Sequence, residues 1–169
     1  MVSDQKLRRD RLVFYERDVV RFDGELDGFL ELSGARCALL IDKEGHLVTR
    51  RGDAVQTSLE SISALVAGSF AATREMARLL GEDEFTTLFH QGNRDSIQVS
   101  LVGDRALFAM VFDERTNLGL VRYYAVETTR RLNTILAEIG TRRPSTDAAE
   151  QQLSSDFSTS AAAALDKLF

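Results

Sequence analysis

Cysteine, histidine and surplus positive charge are all scarce in this chain, and each scarcity closes off a class of function. Cys37 is the one cysteine, so no disulfide can form within the chain, and a reducing compartment fits. His46 and His90 stand far apart in sequence, and neither lies in a His-x-x-x-His or Cys-x-x-Cys setting. No zinc site is expected from them. Lys and Arg total 21 against 26 Asp and Glu, a net charge of −5. That balance argues against general nucleic-acid binding, which needs a basic face, and against a polybasic membrane patch. No apolar run approaches the roughly 18 residues that a membrane-spanning helix requires. The polar, charged start (residues 1–10) has no apolar segment of the secretory kind. A cytoplasmic location is the expectation.

Catalytic machinery is equally thin. There is no Gly-x-x-x-x-Gly-Lys-Ser/Thr phosphate loop and no Gly-x-Gly-x-x-Gly after a strand, so the common means of holding a nucleotide are missing. Cys37 sits in an apolar stretch without a nearby base and reads as a small core residue. Glu82, Asp83 and Glu84 follow a helix end, where negative charge gains nothing from the dipole; they read as a solvated loop. His90, Gln91, Gly92 and Asn93 form one specific-looking polar cluster, best taken as a hydrogen-bonded turn. The reading is a binding module, not an enzyme, with no cofactor.

What the chain does contain is regular patterning. Tyr15, Val19, Phe22, Leu26, Phe29 and Leu30 recur at helical spacing, and Ser33-Gly34 supplies a stop. Residues 35–41 (ARCALLI) read as a buried strand, Asp42-Lys43-Glu44-Gly45 as a turn, and residues 46–51 as the returning strand. Thr57 and Glu60 fit a capping box that opens a central helix ended by Gly81. Residues 85–91 are rich in β-formers, and Ile97, Val99 and Leu101 alternate with polar neighbours in a further strand. After the Gly103-Asp104 turn, residues 106–112 (ALFAMVF) are apolar enough for a central strand covered on both faces. Thr116 or Asn117 can cap a last helix striped by Leu118, Val121, Ala125, Leu132, Ile135, Leu136 and Ile139, with Gly140 and then Pro144 to end it. The order predicts an α/β fold, α-β-β-α-β-β-β-α, with a mainly antiparallel five-stranded sheet between helices. The domain is expected over 1–140 with a short extension over 1–11, a polar linker over 141–160, and a short amphipathic segment over 161–169. In that last segment Leu165, Leu168 and Phe169 fall on one side; a frayed end and a docking motif both fit it.

The central helix is the most informative element. At 100° per residue Leu59, Ile62, Leu65, Val66, Phe70, Met76 and Leu80 fall on one side, the expected core face. Ala64, Ala67, Gly68, Ala71 and Glu75 fall on the other, with Arg78 at its foot. Alanine is the best helix former, which accounts for the Ala positions. Gly68 is different, because a helix-interior Gly costs about 1 kcal/mol relative to Ala. A strip of small residues lets another backbone approach, and this face is expected to be covered by a partner.

One set of motifs comprises Leu12-Val13-Phe14-Tyr15-Glu16, the hairpin Ala38-Leu39-Leu40-Ile41-Asp42-Lys43-Glu44-Gly45, and Leu65-Val66-Ala67-Gly68 with Leu79-Leu80-Gly81-Glu82. His90-Gln91-Gly92, Val111-Phe112-Asp113, the run Thr116-Asn117-Leu118-Gly119 and Leu165 to Phe169 continue it. Together these motifs resemble the Roadblock / dynein light-chain family, and within it the MglB-like members that partner the Ras-like GTPase MglA. Phe70 departs from the smaller residue usual there, and should deepen the core. The resemblance implies a Roadblock sandwich that pairs as a homodimer through the strand over residues 85–91 and the central helix, extending one sheet across both subunits, with Phe85, Thr87, Phe89 and Gln91 at the dimer contact. It implies an MglA-like GTPase over Ala64, Ala67, Gly68, Ala71, Glu75 and Arg78, activated without an arginine finger, in bacterial polarity or motility, with a cell pole as a place of concentration. It further implies a C-terminal motif, Leu165, Leu168 and Phe169, that reaches a second surface of the GTPase. A dimeric scaffold without effect on nucleotide turnover fits the fold equally well.

Overall fold

In a computed structural model, which describes residues 14–53 and 58–141, eight elements follow one another in the expected order. They are α1 (Glu16–Ser33), β1 (Cys37–Asp42), β2 (Leu47–Gly52), α2 (Leu59–Leu80), β3 (Thr87–Gln91), β4 (Ser96–Val102), β5 (Ala106–Phe112) and α3 (Leu118–Thr141). The strands make one sheet in the order β2-β1-β5-β4-β3, with every pairing antiparallel. The chain divides into two units, Met1–Ile139 and Gly140–Phe169, and the sheet and both cores belong to the first. Residues 161–169, with Leu165, Leu168 and Phe169, lie outside the described residues, as does Thr57.

Alternation along the strands builds two cores. In β1, Ala38 and Leu40 turn to one face, where they meet Phe22, Leu26 and Phe29 of α1 and Leu132, Ile135 and Leu136 of α3. Cys37, Leu39 and Ile41 turn to the other face, onto Leu59, Val66 and Phe70 of α2. β5 does the same with Phe108 and Met110 against Leu107 and Ala109, and is buried along its whole length. It is the central strand covered on both sides that its unbroken apolar run implies. Cys37 is fully buried, and burial pushes its thiol pKa up, so it behaves as a packed apolar group.

The helix ends follow from local chemistry. Asp18 accepts a hydrogen bond from the Tyr15 N–H at 2.9 Å, closing the start of α1, and Gly34 ends it at φ +72°. Ser58 caps α2, its Oγ accepting from the Ser61 N–H at 3.3 Å, and Gly81 stops it at φ +77°. Asn117 caps α3 through the Leu120 N–H at 3.0 Å, while the Thr116 hydroxyl donates to the Ser33 carbonyl at 2.6 Å. That last bond ties α3 to α1. Arg21 with Glu138 at 2.6 Å and Arg131 with Glu25 at 3.7 Å complete an antiparallel helix pair on this face.

Two expectations need correction. The strand expected over residues 85–91 begins at Thr87; Phe85 is half-buried in the connection, and pairing reaches back only to the Thr86 carbonyl, which accepts from the Leu101 N–H at 2.9 Å. The bulky face of α2 does not all enter the core. Leu65, Met76 and Leu80 are 70%, 50% and 72% exposed. The buried line is Leu59, Ser63, Val66, Phe70, Thr73 and Ala77, and small or hydroxylated residues serve half of it. Ser63 and Thr73 can be buried because their hydroxyls donate back to the Leu59 and Phe70 carbonyls, both at 2.7 Å.

Candidate functional site

Rotating that line to its true position divides the outer surface of α2 into two parts. Ala64, Gly68, Ala71, Glu75 and Arg78 are exposed. Leu65, Met76, Leu79 and Leu80 border them as large exposed apolar side chains. A Cβ built on Gly68 meets nothing within 4 Å, so the space above the strip is open. An exposed apolar border around an open small-residue track is the anatomy of a surface meant to be covered.

Ala67 belongs elsewhere. It is half-buried, and the β1–β2 turn lies against it: a Cβ on Gly45 would come to 3.3 Å from the Ala67 Cβ and 3.1 Å from the Ala64 Cα. One flank of the small-residue strip is therefore filled by the chain's own hairpin. Sequence reasoning missed this contact, although Gly45 at a turn and Ala at both 64 and 67 were the signals that could have suggested it.

The charged foot of the strip is self-paired. Arg78 Nε donates to both Glu75 carboxylate oxygens at 3.1 Å; this bond holds the Glu75 pKa below, and the Arg78 pKa above, their ordinary values. Arg74 lies 3.3 Å from Glu84. Among the described residues neither arginine of this helix is a free cation.

The second candidate surface is the sheet edge. Among the described residues β3 pairs only with β4. Because Thr86 bonds to Leu101, the alternation of an antiparallel ladder points the N–H and C=O groups of Leu88 and His90 toward β4, and those of Thr87, Phe89 and Gln91 toward the open side. Side chains tell a different story for Phe89. Its ring stacks on Phe112 at 6.2 Å and lies under the Arg122 guanidinium at 5.8 Å, so its side chain serves the core while its backbone is unpaired. The opposite edge is better protected. In β2, Thr49 donates to Asp23 at 2.5 Å and Arg51 pairs with Asp27 at 2.7 Å, holding that edge under α1.

One group of side chains has the composition of a metal site. Asp42, Glu44 and His46 bring their ligand atoms within 4.8 Å of one another. The Asp42 carboxylate is already engaged by the Glu44 and His46 N–H groups, both at 2.9 Å, and by His46 Nδ1 at 3.2 Å. The cluster is accounted for as a turn. His90 lies on β3 and Gln91 at its end, both exposed; the turn beyond is tight, for a Cβ on Gly92 would come to 2.3 Å from the Asp95 carbonyl oxygen. Among the described residues no helix is long and apolar enough to cross a membrane.

Residues 23–112 match the model of the Roadblock/LC7 domain family. Among solved structures, the gliding protein MglB of Thermus thermophilus is 36% identical, with 75% of this chain and 96% of that one covered and a TM-score of 0.71. An MglB with a tetrameric arrangement is 35% identical over 76% of this chain and 96% of that one, with a TM-score of 0.72. Myxococcus xanthus MglB is 33% identical over 69% and 95%, with a TM-score of 0.66. No curated protein matches the chain. The five-stranded sheet between α2 and the α1–α3 pair, the matched domain and these relatives together place the chain in the Roadblock/LC7 family, among its MglB-like members.

Proposed function

We propose that the protein is a homodimeric regulator of an MglA-like, Ras-type GTPase, stabilising the hydrolysis-competent conformation of that GTPase in bacterial motility or polarity. The observation that carries the reading is the open track over Gly68, exposed and bordered by large apolar side chains. The GTPase covers Ala64, Gly68 and Ala71, with Glu75 and Arg78 at the margin and Ala67 acting from beneath. The twin subunit adds its own β3 to the open edge through the backbone of Thr87, Phe89 and Gln91, with Phe85 beside them. Leu165, Leu168 and Phe169 dock on a second GTPase surface from the end of a tail that begins after residue 140.

Activation proceeds without an arginine finger. The two arginines nearest the track, Arg78 and Arg74, are paired with Glu75 and Glu84 within the protomer. Binding energy spent on one GTPase conformation shifts its population, and the faster hydrolysis follows from that shift. The protein itself catalyses nothing in this scheme.

The test is single-turnover GTP hydrolysis by an MglA-like, Ras-type GTPase with and without this chain. Stimulation that disappears with Ala71→Arg, while the variant keeps its fold and oligomeric state, supports the reading. A complex that forms without any change in hydrolysis favours the dimeric scaffold instead.

A further inference from the structure

Beside the track on α2 lies a small depression of about 40 Å³, open to solvent. Its floor is Phe70, Ala106 and Leu107, none more than 4% exposed, and Ala71 and Leu101 stand along its sides. Three charged residues line it: Lys43 of the β1–β2 turn, Arg74 of α2 and Asp104 of the β4–β5 turn. The Lys43 N–H donates to the Arg105 carbonyl at 3.2 Å, which joins the two turns and fixes the backbone from which the Lys43 side chain leaves.

The charges around the depression are unequally satisfied. Arg74 is engaged by Glu84 at 3.3 Å, and Asp104 lies 3.6 Å from Arg105. The Lys43 ammonium has no carboxylate within 4.0 Å among the described residues. Lys43 therefore lines the apolar floor without an ion-pair partner among the described residues, on a chain whose net charge is −5. Ala71 is common to the track and the depression, so whatever covers the track comes within a side chain's reach of both.

We propose that this depression receives an apolar side chain of the bound GTPase, with a neighbouring carboxylate of that GTPase set against Lys43. The proposal rests on the GTPase-binding reading above. The floor supplies desolvated apolar contact, and Lys43 supplies the charge that orients the incoming segment. A segment with the apolar residue but a basic neighbour is rejected by like charge, so the same feature contributes selectivity.

The experiment measures binding of the 169-residue chain to an MglA-like, Ras-type GTPase loaded with a non-hydrolysable GTP analogue. Lys43→Met is expected to weaken binding by roughly tenfold at low salt, and Lys43→Glu by more. The difference from wild type should shrink at about 0.5 M salt, where surface charges are screened within a few ångströms. Hydrogen exchange on the complex is expected to slow at both turns, around Lys43 and around Asp104, as well as along α2. Unchanged affinity in Lys43→Glu, or protection confined to α2, overturns the proposal while Gly68→Arg still abolishes binding. A wild-type chain that forms no complex overturns the GTPase reading itself.

Discussion

Gly45 and Ala67 bring the first hairpin against the central helix so closely that a Cβ on Gly45 would stand 3.3 Å from the Ala67 Cβ, a contact that only a small shift of the helix or the turn relieves. Gly45 also has φ +94°, where other L-residues are strained. Gly45→Ala is therefore expected to lose about 2 kcal/mol, from backbone strain together with the 3.1 Å approach to the Ala64 backbone. Urea denaturation reads this as a lower midpoint at unchanged slope. A variant as stable as wild type would show that the turn can leave α2 without cost.

Gly68 makes the opposite prediction. It lies mid-helix with ordinary helical φ and open space where a Cβ would go. Gly68→Ala should stabilise the isolated protein by about 1 kcal/mol, because Ala loses less backbone entropy. Gly68→Arg should leave the fold intact and abolish binding of the GTPase. If Gly68→Ala lowers stability, a second copy already occupies the track.

The helices were legible from period-3.6 patterning, β4 from its alternation, β1 and β5 from their unbroken apolar runs, and the strand boundaries from the turn residues between them. The face of α2 was legible only in part. Counting apolar residues put Leu65, Met76 and Leu80 inward, whereas Ser63, Thr73 and Ala77 are the buried ones. Hydrophobicity alone cannot see this, since Ser and Thr are made burial-competent by bonds to their own helix carbonyls. The strand start at Thr87 was misplaced for a related reason: Phe85 has the composition of a strand residue, but the ladder with β4 is registered only from Thr87, opposite Ser100, and its last bond stops at the Thr86 carbonyl. Residues 54–57 and the tail, where the Thr57 cap and the Leu165, Leu168 and Phe169 motif fall, lie outside the described structure.

Gln98 offers a test inside the core. It is 1% exposed, and its Oε1 has no hydrogen-bond partner among the described residues. An unsatisfied buried acceptor costs about 1–3 kcal/mol. Gln98→Met keeps the length of the side chain and removes that acceptor, so thermal unfolding should shift upward by a few degrees. A downward shift would mean that a water or the twin subunit satisfies the group.

Glu127 predicts a pH dependence. Hydrogen bonds from Arg130 and then Arg131 hold its carboxyl at about 2, below the ordinary 4.5. A depressed carboxylate pKa means that the unfolded chain binds the proton first. The associated stability is therefore present above pH 4.5 and is lost as pH falls toward about 2. Glu127→Gln should be slightly less stable than wild type at neutral pH and indistinguishable from it near pH 2. The pair is solvent-exposed, so added salt should also close the gap. A gap that persists at low pH would point to packing of the Glu127 stem.

The edge strand separates assembly from folding by one residue. Thr87 directs its N–H to the open side of β3, and Leu88 directs its N–H into the β4 ladder. Proline removes a backbone donor and is tolerated on strand edges only where that donor faces outward. Thr87→Pro should therefore leave the protomer folded while breaking the cross-subunit ladder, and sedimentation should report a monomer in place of a dimer. Leu88→Pro takes away a bond that the protomer itself uses, and should unfold the β3–β4 hairpin, with a loss of several degrees or more in thermal midpoint. If the dimer survives Thr87→Pro at unchanged affinity, β3 is not the seam, and the exposed Leu65, Met76, Leu79 and Leu80 of α2 become the surface on which the two copies meet.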